Sequence, residues 1–446
     1  MATIAEPART SLPVVPPSPR NTGIDYELLL DCVHCGLCTA ACPTYVELGT
    51  EMDSPRGRIY LMRAVTDGRL DLQADVRRHL DLCLDCRACE SACPSGVRYG
   101  RLIEPFRLYM KKTQGNEPGP IDRLSRLQRW ALFHVTPYAE RLWLALAPAR
   151  LLQRTGLDRL LERSGLLDWL PPPLRQLYDM LPRWRRYRGR LPEFLPAHGK
   201  KQKVVALFTG CAGAAFFPET NWNTARVLQR LGCDVWVPRG QVCCGALHYH
   251  AAEEVKARAF AAINCAVFGQ RTVDAIIVNA AGCGAMLKDY AHVLGPTAHA
   301  AAGRALARKV RDISEFLVDL KPQRPTHPVK LRAVYHDPCH LCHAQQVRSQ
   351  PRQLLEWVPE LTLVPLDESE ICCGAAGSYN LTQPEMAQRL GERKVRHILA
   401  TGAEAVFTAN VGCLLQIGRY LRPCRPEVRV AHPIDVLWAS YSGEAW

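Results

Sequence analysis

Two stretches of this chain share one pattern: CVHCGLCTAACP at residues 32–43 and CLDCRACESACP at residues 83–94. Both read C-x2-C-x2-C-x3-C-P, without deviation. Cysteines at intervals of three wrap a short loop around a compact body, and a fourth, followed by proline, opens a helix that leads away. The small residues Gly36 and Ala88 fit a backbone that turns its N–H groups toward sulfur.

This is the bacterial ferredoxin spacing for [4Fe–4S] clusters, in which the fourth cysteine of each run ligates the other cluster. It assigns one cluster to Cys32, Cys35, Cys38 and Cys93, and the second to Cys83, Cys86, Cys89 and Cys42. Zinc knuckles are the competing reading, but they set paired C-x2-C units apart along the chain. Arg56, Arg58, Arg87, Arg98 and Arg101 surround the two runs. Near a cluster such charges favour the reduced, more negative state; on a solvated face they do little.

The chain has 446 residues, enough for two to four domains. No run of 18 apolar residues suggests a membrane span, and the start lacks a signal-peptide pattern. Twenty cysteines without an export signal point to metal or cluster ligation in a reducing cytosol. The net charge of +13 counts thiolates as neutral, so ligated clusters would offset part of it. No nucleic-acid-binding motif accompanies the charge, so no nucleic-acid partner is expected.

Residues 1–20 read as a disordered lead. A short helix is expected over 21–31, a helix from Pro55 through Val65 capped by Asp53 or Ser54, and another over 71–82. Residues 111–200 form a basic connector with short helices near 121–133, 139–147 and 157–170, broken at Pro171-Pro172-Pro173. The basic, aromatic stretch 184–190 fits either a connector or subunit dock, or contact with anionic lipid.

The remainder is an internal repeat. Cys211 aligns with Cys339, the Cys243-Cys244-Gly245 block with Cys372-Cys373-Gly374, and Cys283 with Cys413, at offsets of 128, 129 and 130 residues. Each copy alternates apolar strands (204–208, 233–237, 275–279; then 331–335, 361–366, 404–408) with helical stretches such as 221–231, 251–268 and 384–400. That is the pattern of a parallel sheet with crossover helices. In each copy the cysteines follow strand ends, where open α/β sheets bind ligands, so four thiols per copy are placed to converge on metal. His248, His336, His340 and His343 beside these blocks suit either a polar lining or iron ligation and proton relay. Cys233, Cys265 and Cys424 read as core thiols.

The Cys-Cys-Gly blocks resemble the cysteine-rich CCG domain of heterodisulfide reductase and related iron–sulfur subunits. Joined to a two-cluster ferredoxin module, and with DSPRGRIY at 53–60 and CPSGVRYG at 93–100, the chain resembles the iron–sulfur subunits of glycolate oxidase over roughly residues 25 to 445. The resemblance implies an α+β multidomain fold: a mainly helical ferredoxin-like module (21–110), the connector (111–200), and two α/β CCG domains with parallel-type sheets (201–325 and 326–446). It also implies assembly with FAD-bearing subunits that oxidise glycolate to glyoxylate, and electron exit toward a membrane acceptor, a quinone, at the inner face of the cell membrane. No catalytic residue is assigned to the chain itself. Iron–sulfur subunits of lactate or glycerol-3-phosphate dehydrogenases, and a catalytic CCG protein that reduces disulfides, are the alternatives. The fuller CCG pattern ends each repeat in C-x2-C, where this chain has Met286 and Gln416. The candidate metal ligands of the repeats are Cys211, Cys243, Cys244, Cys283, Cys339, Cys372, Cys373 and Cys413. Cys342, whose counterpart is Ala214, stands as an added candidate.

Overall fold

The Ser54-Pro55 pair starts the helix that carries the amino-terminal module, Pro55–Thr66. The Ser54 hydroxyl accepts the Gly57 N–H at 3.0 Å, and Pro55 occupies the first position, where no N–H is needed. Ile59, Met62 and Val65 form its buried face and pack on Leu80, Leu102, Ile103 and Phe106. Ser54→Ala strands one N–H of the first turn and is expected to cost about 1 kcal/mol. Urea titration of the module would report this as an earlier midpoint, and an unmoved midpoint would deny the cap its role.

The computed structural model describes residues 20–113, 118–165, 169, 175, 178–183 and 189–446. The expected lead (1–19), the triproline 171–173 and residues 184–188 of the basic, aromatic stretch lie outside these. The expected helix over 71–82 is the shorter Ala74–Asp81, because Gln73 is still extended as its cap (ψ 169°). Cys42 caps Pro43–Leu48, as its trailing proline predicts. Cys93 opens no helix directly: Gly96, at φ +72°, turns the chain first, and the next helix is Gly100–Lys112.

In the connector, Ser125 and Gln128 form a reciprocal capping box on Arg126–His134. Ala139–Ala145, Ala147–Thr155 and Leu157–Ser164 follow, and the first of these three packs on the Cys211–Phe216 helix of the first repeat.

The first repeat is a five-stranded sheet of β1 (Phe194–Leu195), β2 (Lys203–Phe208), β3 (Cys233–Trp236), β4 (Ala275–Val278) and β5 (Val310–Asp312). Its order is β1-β3-β2-β4-β5. All pairs are parallel except β1 with β3, where Phe194 faces Trp236. The second repeat has β6 (Leu331–Tyr335), β7 (Leu361–Leu363), β8 (Ala405–Phe407) and β9 (Arg429–Ala431), all parallel, in the order β7-β6-β8-β9. Without β1 the two orders coincide, as the aligned cysteines predict. The edge strands β1, β5 and β9 are not among the expected ones: β1 is two residues long, and Arg311 and Arg429 interrupt the apolar pattern of β5 and β9.

The repeats share one core. Leu207, Leu228 and Ile277 join Leu354, Phe407 and Leu437 in a single buried cluster. Polar contacts fix the join: Asn223 Nδ2 donates to Asp435 Oδ1 at 2.9 Å, and the Ala281 N–H donates to the Ala409 carbonyl at 3.0 Å. No helix among the described residues is long and apolar enough to cross a membrane.

Candidate functional site

The two cysteine runs fold alike. His34 (φ +54°) and Gly36 (φ +86°) in the first occupy the same places as Asp85 (φ +53°) and Arg87 (φ +59°) in the second. These left-handed residues aim successive N–H groups inward, and the Asp85 N–H reaches the Cys83 sulfur at 3.4 Å. Cys42, Cys83, Cys86 and Cys89 line one void together with Arg58 and Tyr99. Burial first, then the neighbouring Cys86, Cys83 and Cys42, push the Cys89 thiol well up. The Cys32 thiol is pushed up by burial and then by Cys93 and Cys35. Cys42, the fourth cysteine of the first run, therefore lies with the loop of the second. The two groups differ in access: Cys35 is exposed, whereas Cys42, Cys83 and Cys86 are buried.

The arginines divide. Arg98 is exposed, and Arg56 lies at the surface against Glu51 and the His34 carbonyl. Arg58 is wholly buried, only 1% exposed. Its Nε donates to the His79 carbonyl at 2.7 Å, its Nη1 lies 3.8 Å from the Cys42 sulfur and its Nη2 lies 3.5 Å from Asp53 Oδ1. His79 Nδ1 meets the same Asp53 oxygen at 2.8 Å. A second buried group sits where the module meets the first repeat. Arg87 pairs with Glu104 at 2.7 Å, Arg101 pairs with Asp289, and His250 Nδ1 lies 3.3 Å from Asp85. Burial would raise the Asp85 carboxyl, but His250, Arg87 and Arg107 outweigh it and hold it below the usual carboxylate range.

In the repeats, the thiols gather where the topology predicts. β2 and β4 are neighbours whose following connections leave in opposite directions, which makes their carboxyl ends a switch point. Cys211 starts the Cys211–Phe216 helix after β2, Cys283 lies in the first turn of Ala281–Lys288 after β4, and Cys243-Cys244 follow β3. Cys211 Sγ stands 3.6 Å from Cys243 Sγ. In the second repeat Cys339 Sγ stands 3.9 Å from Cys372 Sγ, and although the Cys372 contact works to lower it, the Cys373 thiol is pushed well up by Cys413 and by burial. Gly245 (φ +90°) and Gly374 (φ +85°) close the double-cysteine turns; a Cβ at Gly374 would lie 2.8 Å from the Ala387 carbonyl oxygen. All eight thiols line a single cavity of about 1200 Å³, roofed by Leu132, Leu142 and Leu152 of the connector. Cys83 reaches the same cavity, and Cys86 packs with Cys339 and Cys372 in one cluster.

Three known sequence families match the chain over four regions: a 4Fe-4S dicluster domain at residues 28–97, a cysteine-rich domain at 205–288 and again at 333–418, and the linker region of glycolate oxidase iron–sulfur subunits at 124–181. The probable glycolate oxidase iron–sulfur subunit of Bacillus subtilis (strain 168) is 39% identical over 423 residues, covering 93% of this chain and 94% of that one. The chain belongs to the glycolate oxidase iron–sulfur subunit family. A second relative in this family, from Escherichia coli (strain K12), is 35% identical over 402 residues, 87% of this chain and 89% of that one. Lactate utilization protein A of Geobacillus kaustophilus (strain HTA426) is 33% identical over 235 residues, 52% of this chain and 98% of that one.

Within this family fold the sequence candidates do not all converge. Cys342 is apart from the other thiols. It groups with His343 and Glu370 instead, because the turn at residues 340–344 winds it away from Cys339 into the protein interior. Met286 and Gln416 occupy matching places behind the double-cysteine turns. Met286 touches the space over Gly245, and Gln416 donates to the Ala387 carbonyl at 3.1 Å. His340 stacks near His250, ring centroids 5.7 Å apart, and both line the cavity. Burial, with His250 and Arg87, pushes the His340 imidazole down to about 3, so it is neutral. His336 is wholly buried, within 4.8 Å of Cys373 and Cys413. The sequence offered it, with His248, His340 and His343, as either a polar lining or a group for iron ligation and proton relay.

Thiols that are buried, grouped in fours, flanked by inward N–H groups and by a guanidinium suit iron–sulfur ligation. Cys42, Cys83, Cys86 and Cys89 would hold one cluster of the dicluster domain, and Cys32, Cys35, Cys38 and Cys93 the other.

Proposed function

We propose that the chain is the iron–sulfur electron-transfer subunit of a flavin-dependent glycolate dehydrogenase. The carrying observation is that the two ferredoxin-type quartets stand side by side, one open to solvent and one abutting the cavity of the repeats. Clusters pass electrons singly, whereas oxidising a hydroxy acid removes a hydride equivalent, so a flavin must divide the pair. No strand–GxGxxG–helix signature marks such a site in this sequence. The FAD and the oxidation of glycolate to glyoxylate therefore belong to partner subunits, and the electrons leave toward a quinone-type acceptor at the membrane.

This chain's residues set the path. Val33 and Leu37, 67% and 62% exposed beside Cys35, give the outer loop an apolar rim for a partner. Arg58 beside Cys42 favours added negative charge at the inner quartet. The thiols of the repeats extend the line with a further iron–sulfur centre.

The test uses the chain co-purified with its flavoprotein partners under anaerobic conditions. Glycolate should bleach the visible cluster absorption and raise paramagnetic signals of reduced clusters, and the chain alone should not respond. Faster bleaching by lactate or glycerol-3-phosphate would replace the donor. Disulfide reduction by the isolated chain would replace the proposed role with a catalytic one.

A further inference from the structure

We propose that the two repeats are not equivalent: the second holds an iron centre in which His336 supplies a nitrogen ligand beside Cys373 and Cys413, and the first does not. This rests on the reading that the cysteine-rich half carries iron.

His336 ends β6, with its N–H donating to the Phe407 carbonyl at 2.9 Å. The ring is 0% exposed, and neither nitrogen has a partner at hydrogen-bond geometry. An imidazole buried in that state is costly unless something absent from the protein chain engages it. One ring nitrogen and the sulfurs of Cys373 and Cys413 lie within 4.8 Å of one another. Thiolates with one imidazole suit iron.

A second observation points the same way. Lys394 is buried, 2% exposed, and its ammonium donates to the Glu368 carbonyl. The Glu368 carboxylate is taken by Arg393, and among the described residues no carboxylate pairs with Lys394. Burial pulls the Lys394 ammonium down to about 8, and Cys373, Cys372, Glu368 and Asp337 act against that. A buried cation without a carboxylate requires other negative charge, and thiolates on iron provide it.

The first repeat lacks both features. Phe208 stands at the place of His336 and packs on Phe268, ring centroids 6.1 Å apart. Asn264 stands at the place of Lys394, and its amide is satisfied by the Val242 and Cys243 carbonyls and the Tyr290 hydroxyl. These groups are neutral and partnered within the protein.

The experiment takes the full chain, reconstituted anaerobically with iron and sulfide, as wild type and as Cys373→Ser, Cys244→Ser and His336→Phe. Iron per chain should fall in Cys373→Ser and stay at the wild-type value in Cys244→Ser. With 15N-histidine, pulsed paramagnetic resonance of the wild type should show a directly bound nitrogen, lost in His336→Phe. If that variant does not fold, His336→Asn serves, and the wild-type spectrum needs no variant. Iron unchanged in both cysteine variants would remove the reading that the repeats carry metal. Equal losses in both would keep that reading and overturn the inequivalence. A bound-nitrogen signal that survives at position 336 without histidine, or is missing from wild type, would overturn the ligand assignment.

Discussion

Replacing Cys42 by serine is expected to empty the loop that begins 41 residues further on, at Cys83. About four of the roughly eight irons of the amino-terminal module should be lost, and the loss should fall on the cluster of Cys83, Cys86 and Cys89. The reason is placement: Cys42 shares their void and acts on the Cys89 and Cys86 thiols. Cys93→Ser should do the reverse and strip the cluster of Cys32, Cys35 and Cys38, since Cys93 acts on the Cys32 thiol. Iron and sulfide quantitation counts the loss, and paramagnetic resonance of the reduced protein tells which cluster is gone. Should Cys42→Ser and Cys35→Ser abolish the same resonance, the crossed assignment is wrong.

Arg58→Ala should be the most damaging change to stability outside the cysteines. Removing one partner of a buried ion pair costs about 3–5 kcal/mol, because the other charge stays buried. Here the partner left behind is Asp53, itself 1% exposed, and among the described residues its carboxylate keeps only the His79 ring. The His79 carbonyl loses its donor as well. Burial alone would lower the pKa of the Arg58 guanidinium, but Cys83, Tyr99, Cys42 and Asp53 outweigh it and hold the charge in place. Its removal should therefore also make the inner cluster harder to reduce. Arg58→Lys keeps the charge but cannot reach the His79 carbonyl, Asp53 and Cys42 together, and should recover part of the potential and less of the stability. Urea unfolding gives the first quantity and redox titration the second. An alanine variant within 1 kcal/mol of wild type would show the pair to be dispensable.

What the sequence displayed was local. Spacing within each cysteine run is covalent, so the loops could be read directly, as could Ser54-Pro55 at a helix start. Apolar runs marked β2, β3, β4, β6, β7 and β8, and the repeat offsets marked their kinship. What stayed hidden depended on residues far apart. Arg58 looks like any surface arginine until the fold brings it to Asp53 and the His79 carbonyl. Cys342 sits three residues from Cys339, yet the turn between them sends their sulfurs to different places. His336 is one of four histidines offered beside the cysteine blocks with nothing to single it out, and only the pairing of β8 with β6 brings it to Cys413. That all eight repeat thiols share one cavity follows from packing two domains together, for which no single segment holds a signal.

The inner cysteine loop is sealed by the far end of the chain. Leu82, Leu84 and Cys86 share a buried cluster with Tyr379, Met386 and Leu390, and the Tyr379 hydroxyl donates to the Leu82 carbonyl across 297 residues of sequence. At about 5–20 residues per second, a ribosome needs roughly 15–60 s to make that span. Throughout that interval the newborn module has bare leucines beside the thiols of its inner loop. Its maturation is thereby tied to the completion of synthesis, and iron delivered to an unfinished chain would meet a half-built socket.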